Sequence, residues 1–207
     1  MTIVARSRRT EYERRAMAPP DLVWRLNVEQ YHGMINAGIL TESDPVELLD
    51  GCLVPKMPKR PKHSLVNGLV FEAISRLLPE GWFADFQEPI TTENSEPEPD
   101  VRVVRGERRD FLDRHPGGAD LGLLVEVSDT TLNRDLDLKL KLYAQAGVAV
   151  YWVVNLPEHR LEVYSEPSGS SAEPGYGQRT VLKAGDDVAL VLDGVEVGRL
   201  AVASLLP

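Results

Sequence analysis

Residues Leu121-Gly122-Leu123-Leu124-Val125-Glu126-Val127 form a near-continuous apolar run broken by one acid, Glu126. A run of this length without alternation is the mark of a strand covered on both faces. Val148 to Val154 is a second apolar, β-branched run, and a stretch of helical character, Asn133 to Ala146, lies between them. Strand–helix–strand order around buried strands predicts a single α/β (α+β) domain with a central sheet. It also makes Glu126 expensive, because a carboxylate in a core needs a partner or a cation.

The remaining elements follow from pattern and punctuation. Residues 1–20 read as a flexible leader ending in Ala18-Pro19-Pro20. Val28 to Ala37 reads as a helix, capped by Asn27 and stopped by Gly38. Val46 to Leu49 and Leu53-Val54 flank Asp50-Gly51, a hairpin signal. After a Pro/Lys loop at 55–62, His63 to Leu78 carries apolar residues at helical spacing and Pro79 ends it. Strands are expected over Trp82 to Ile90, Val101 to Val104 and Leu161 to Tyr164, and a polar loop with one helical turn over 105–120. The core is expected over about 22–165, with a β-rich tail over 178–207.

Two further ionisable groups sit in apolar surroundings. Asp100 enters the strand Glu98-Pro99-Asp100-Val101-Arg102-Val103-Val104, and Lys139 lies among leucines in Asp135-Leu136-Asp137-Leu138-Lys139. Residues 133–147 contain no β-branched residue and end at Gly147, which favours a helix. At about 100° per residue, Lys139 falls on the core-facing arc with Asp135, Leu136, Leu142 and Tyr143, whereas Lys141 falls on the wet side. Asp135, one turn earlier, is close enough to orient Lys139; a half-buried structural pair fits the periodicity equally well. Two carboxylates with an ammonium beside them suit a hard divalent cation and phosphodiester cleavage.

Composition constrains the partners. The net charge is −9, which does not advertise nucleic-acid binding. Positive charge is clustered, however, in the leader (Arg6, Arg8, Arg9, Arg14, Arg15) and in the loop bearing Lys56, Lys59, Arg60 and Lys62. Either cluster suits phosphates, and a solvated loop is the alternative. Cys52 is the single cysteine, so no internal disulfide forms and a cytoplasmic location is expected. No apolar run reaches membrane-spanning length, and no Gly-x-x-x-x-Gly-Lys-[Ser/Thr] loop signals NTP use. No Cys/His set has zinc spacing, and no Gly-x-Ser-x-Gly elbow is present.

In order, Pro99-Asp100, a strand bearing Glu126 and then Lys139 resemble the PD-(D/E)xK nuclease superfamily. The series from Val46-Glu47-Leu48-Leu49-Asp50-Gly51 and His63, through Glu98-Pro99-Asp100-Val101 and Leu124-Val125-Glu126-Val127-Ser128, to Asp135-x3-Lys139-x3-Tyr143 and Tyr151-Trp152-Val153-Val154-Asn155 resembles its Uma-two family of putative restriction endonucleases. The resemblance implies a restriction-endonuclease-like core, a central mixed β-sheet flanked by helices. It also implies a Mg²⁺- or Mn²⁺-dependent endonuclease acting on DNA as a homodimer. Asp100 and Glu126 would be metal ligands with the Val127 carbonyl, and Lys139 would orient or deprotonate water or neutralise the phosphate. Glu47 would be a third acid, unless it points to solvent at a strand edge, and His63 would touch phosphate or leaving group, unless it merely caps or packs. Asp135, Ser128 and Tyr143 would support them.

Three positions depart from the pattern. Ser128 stands where the superfamily usually has its lysine, Asn155 where the family often has Asp, and Val150 where it often has Glu. Two other readings stay open: a non-catalytic nucleic-acid-binding or regulatory module, and a metal-independent glycosidase using Asp100 and Glu126, which leaves Lys139 without a task.

Overall fold

The computed structural model describes residues 23–129 and 132–207. The leader 1–20 and its arginines lie outside the described residues. In chain order the elements are α1 (Val28–Asn36), β1 (Val46–Leu49), β2 (Cys52–Pro55), α2 (Pro61–Ser75), β3 (Trp82–Phe86), β4 (Val101–Arg105), β5 (Leu121–Ser128), α3 (Leu132–Arg134), a π-helical turn (Asp135–Lys139), α4 (Leu140–Gln145), β6 (Val150–Asn155), β7 (Arg160–Pro167), β8 (Tyr176–Lys183), β9 (Asp187–Leu192) and β10 (Val195–Ala201).

Strands β3 to β8 form one six-stranded sheet in sequence order. Only β5 and β6 run parallel; every other pair is antiparallel. A parallel pair needs a crossover, and the helical segment from Leu132 to Gln145 supplies it. Every residue of β5 is buried, as its unbroken apolar sequence requires. Val66, Val70 and Ile74 of α2 pack on one face with Val103, Leu123, Val125 and Trp152, and β9 closes the same layer. Leu124, Tyr143, Tyr151 and Val153 form the opposite layer under α4. The architecture is therefore the mixed sheet flanked by helices that the sequence implies.

Boundaries moved for local reasons. Helix α1 starts after an Asn27–Gln30 capping box, and Gly38 adopts φ +69° beyond its end. Helix α2 begins at Pro61, since a proline is well tolerated in the first turn, where its missing N–H is no loss. Strand β3 stops at Phe86 because Gln87 turns left-handed at φ +58° and leads the chain off the sheet. The expected one helical turn in 105–120 is two short 3₁₀ turns, Arg108–Phe111 and Gly118–Asp120. The sixth strand, β8, comes largely from the segment read as a tail, so the sheet reaches further along the chain than expected. Hairpin β1–β2 stands outside the main sheet and is joined, through the isolated bridge Leu48↔Glu96, to the segment between β3 and β4, which brings Glu47 towards Glu98.

Glu162 of β7 is a fully buried charge away from the cleft. Burial alone would raise its carboxyl, but bonds from Asn155, Tyr164, Arg160 and Arg179 outweigh burial and hold it at about 2. A carboxyl depressed from 4.5 contributes stability that is present above about pH 4.5 and lost as pH falls towards 2. Glu162→Gln is expected to lower stability at pH 7 by about 1–3 kcal/mol and to flatten the acid limb. Thermal melts between pH 2 and pH 7 check this: the variant and wild-type curves should converge at the acid end.

Candidate active site

Asp100 is the residue immediately before β4, and Glu126 lies on the neighbouring strand β5, where Val101 pairs with Val125. Beyond that pairing the two strands separate, and the Asp100 side chain takes the place of a backbone partner: Val127 N–H donates to Asp100 Oδ2 at 2.8 Å. The N–H and C=O of one strand residue project to the same edge, so the Val127 carbonyl faces the Asp100 side. His63 Nε2 lies 3.1 Å from Asp100 Oδ2, and Asn67 Nδ2 donates to Oδ1 at 2.8 Å. His63 and Asn67 are four residues apart on α2, hence on one helical face.

Lys139 ends the π-helical turn and reaches across to β5. Its Nζ donates to Glu126 Oε1 at 2.8 Å, and Tyr143 donates its hydroxyl to the same oxygen at 2.7 Å. Glu126 Oε2 accepts no hydrogen bond from any described residue. Lys139 Nζ also lies 3.7 Å from Glu47 Oε2, and Glu98 N–H donates to that oxygen at 3.2 Å. Asp100, Glu126, Lys139 and Glu47 are 8, 4, 5 and 4 % exposed, yet all four line one open cleft with room of about 110 Å³ for water-sized occupants. Glu47 thus points inward, not to solvent at a strand edge.

The supporting residues are placed as follows. Ser128 Oγ donates to Asp135 Oδ2 at 2.6 Å, and Tyr151 donates to the Asp135 carbonyl at 3.1 Å. Lys56, Lys59, Arg60 and His63 line the cleft. Lys56 is paired with Glu98, and Arg60 reaches Asp129 at 3.4 Å. Lys62 is exposed and does not line the cleft, while Lys141 is exposed and paired with Asp137. Trp152 is wholly buried in the sheet and cannot stack on a base. Sequence reading missed Asn67, Gln87, Asp129 and Arg134; only Asn67 had a signal, its spacing from His63.

The electrostatics divide the two acids. Burial would raise the Asp100 carboxyl, but His63, Asn67 and the Val127 N–H outweigh it and hold Asp100 below its ordinary range. Burial pushes Glu126 well above its ordinary range, and Lys139 offsets this only in part. Burial alone would lower Lys139, but Glu126, Glu47 and Asp135 together raise it, so it remains an ammonium.

Among the described residues no three His, Cys, Asp or Glu side chains converge as a ready-made metal cage. The donor set fits a hard cation that keeps most of its water: two carboxylates, one with a free oxygen, and a backbone carbonyl beside them.

A family model described as Uma2, putative restriction endonuclease, matches residues 28–203. The chain belongs to this family. The Uma2 match spans every cleft residue named above. A crystal structure of a putative nuclease belonging to DUF820 from Anabaena variabilis is similar in fold, with a TM-score of 0.64 and 15 % identity over 87 % of this chain and 97 % of that one. No curated protein matches the chain.

Without Lys139, buried Glu126 loses its nearest cation and buried Glu47 loses one of the two beside it. Lys139→Met is expected to destabilise the metal-free protein by about 3 kcal/mol, at the low end for an orphaned buried charge because Glu126 can take up a proton instead. Lys139→Met with Glu126→Gln should recover more than half of that loss. Urea unfolding in EDTA measures both, and additive losses would mean that the pair is not coupled.

Proposed function

We propose that the chain is a metal-dependent endonuclease that hydrolyses DNA phosphodiester bonds with Mg²⁺ or Mn²⁺, acting in the cytoplasm as a homodimer. The observation that carries this reading is the convergence of Asp100, Glu126 and Lys139, from three separate segments, on one cleft. Family membership supports it, and the resemblance and the lone Cys52 support the assembly and compartment.

A phosphodiester repels nucleophiles through its own charge, so its hydrolysis is chiefly a matter of positioning and charge. Asp100, the Glu126 Oε2 oxygen and the Val127 carbonyl would hold the cation. When bound, the cation supplies Lewis-acid charge to the phosphate oxygens and acidifies a water molecule. Asp100 is kept ionised and aimed by His63, Asn67 and the Val127 N–H. Glu126 is aimed by Tyr143 and Lys139. Lys139, held as an ammonium among acids, is suited to neutralise charge developing on the phosphate and to orient the attacking water by donating to it, rather than to accept its proton. Glu47 keeps Lys139 charged and near Glu126.

Supercoiled plasmid incubated with Mg²⁺ or Mn²⁺ is expected to be nicked by the wild type, not in EDTA, and roughly 10²–10³-fold more slowly by Asp100→Ala and Lys139→Ala. Equal nicking by all three proteins would assign the activity to a contaminant. Calorimetric titration of Mg²⁺ supplies a readout independent of turnover: Glu126→Gln should lose most of the wild-type heat. DNA binding without any cleavage would favour the second reading, a non-catalytic nucleic-acid-binding or regulatory module.

A further inference from the structure

Arg134 closes α3, directly before the π-helical turn that carries Asp135 and Lys139. Its side chain is one-quarter exposed and lines the cleft. A single nitrogen, NH1, anchors it, donating to the Pro55 carbonyl at 3.2 Å and lying 3.6 Å from Glu47 Oε1. The latter distance is too long for a hydrogen bond. Nε and NH2 donate no hydrogen bond to any described residue, and the closest approach to Glu47 is through NH1. A guanidinium fixed by one corner, with its other nitrogens free, offers a planar fork to two oxygens of one anion. The anchor also limits the entropy lost when that anion binds.

The neighbouring cations are differently placed. Lys56 is engaged by Glu98 and Lys139 by Glu126, while Arg60 reaches only Asp129, at 3.4 Å, and has no backbone anchor among the described residues. Lys59 lines the cleft without an ion pair among the described residues, but as a point charge on an exposed loop. Arg134 alone among these cations combines a backbone anchor, an unengaged fork and a position beside the acids.

We infer that Arg134 is a phosphate-binding residue, gripping a backbone phosphate adjacent to the scissile one through Nε and NH2; this rests on the nuclease reading for its substrate. A purely structural arginine would only tie β2 to α3 through Pro55 and would leave the ion release on DNA binding unchanged.

The test is the salt dependence of binding to a fluorescein-labelled 20-bp duplex, read by anisotropy in EDTA between about 50 and 200 mM NaCl. Arg134→Gln should weaken binding roughly tenfold and reduce the slope of log K against log[salt] by about 0.9, one phosphate contact. Arg134→Lys should keep the slope and still bind several-fold more weakly, because an ammonium cannot reproduce the fork. Lys141→Gln, outside the cleft, should behave as wild type. A wild-type slope in Arg134→Gln, or equal effects of Arg134→Gln and Lys141→Gln, overturns the inference. Arg134-dependent binding without Mg²⁺-driven cleavage would leave it standing and remove the nuclease reading. Cleavage with binding indifferent to Arg134 would do the reverse, and no duplex binding by the wild type, either in EDTA or with Mg²⁺, would sink both.

Discussion

The contact between Lys139 and Glu126 constrains everything around it. Glu126 stands in the middle of a strand with both faces covered, where an ionised carboxylate is tolerated only with close partners. Those partners must come from above the sheet, so the crossover between β5 and β6 must descend at that point. The helix does so through a π-helical turn, a wider coil often found at functional sites, which ends on Lys139 and leads into α4 with Tyr143 one turn later. Ser128 and Tyr151 tie the start of that turn, Asp135, to the two parallel strands. An ion pair here is weak evidence for stability in itself, since apolar residues of the same volume would often serve as well. Its presence in a strand otherwise built of leucine and valine therefore points to a demand other than folding.

The two acids are prepared differently for that demand. Asp100 accepts from three donors, two on Oδ2 and one on Oδ1, which leaves Oδ1 a further lone pair, and its carboxyl is held low, so it is ionised and held in place whether or not anything is bound. Glu126 has donors on one oxygen only, and burial holds its carboxyl high. A cation arriving at its open oxygen would meet a group whose charged form gains most from that charge. The site thus couples a fixed anchor to a responsive ligand.

Much of this was legible in the sequence where physics acts locally. The apolar run of β5 announced a two-faced sheet, Gly147 and the missing β-branched residues announced the helix, and a wheel separated Lys139 from Lys141, which the structure finds buried and exposed respectively. What escaped reading depends on contacts distant in sequence. Nothing in Glu98 announces that its N–H holds Glu47, because that bond exists only once the β1–β2 hairpin docks through Leu48 and Glu96. The left-handed turn at Gln87 has no glycine to mark it. The π-helical turn was hidden because a wheel presumes 3.6 residues per turn throughout. Strand β8 went unassigned to the sheet because its residues are mostly exposed and polar, as befits an edge.

Charge distribution completes the logic. An acidic protein repels polyanions at a distance, and this chain carries nine negative charges in excess. Attraction must then be local, and the cleft concentrates it: Lys56, Lys59, Arg60 and Arg134 border a space floored by Asp100, Glu126 and Lys139. Most of these cations already neutralise an acid beside them, so an incoming phosphate must exchange partners rather than find bare charge. Exchange lowers the gain from nonspecific contact and leaves the largest gain where a donor is unengaged. Such an arrangement disfavours indiscriminate adhesion to nucleic acid and rewards a backbone that threads close enough to the carboxylates for a shared cation to offset the repulsion between them.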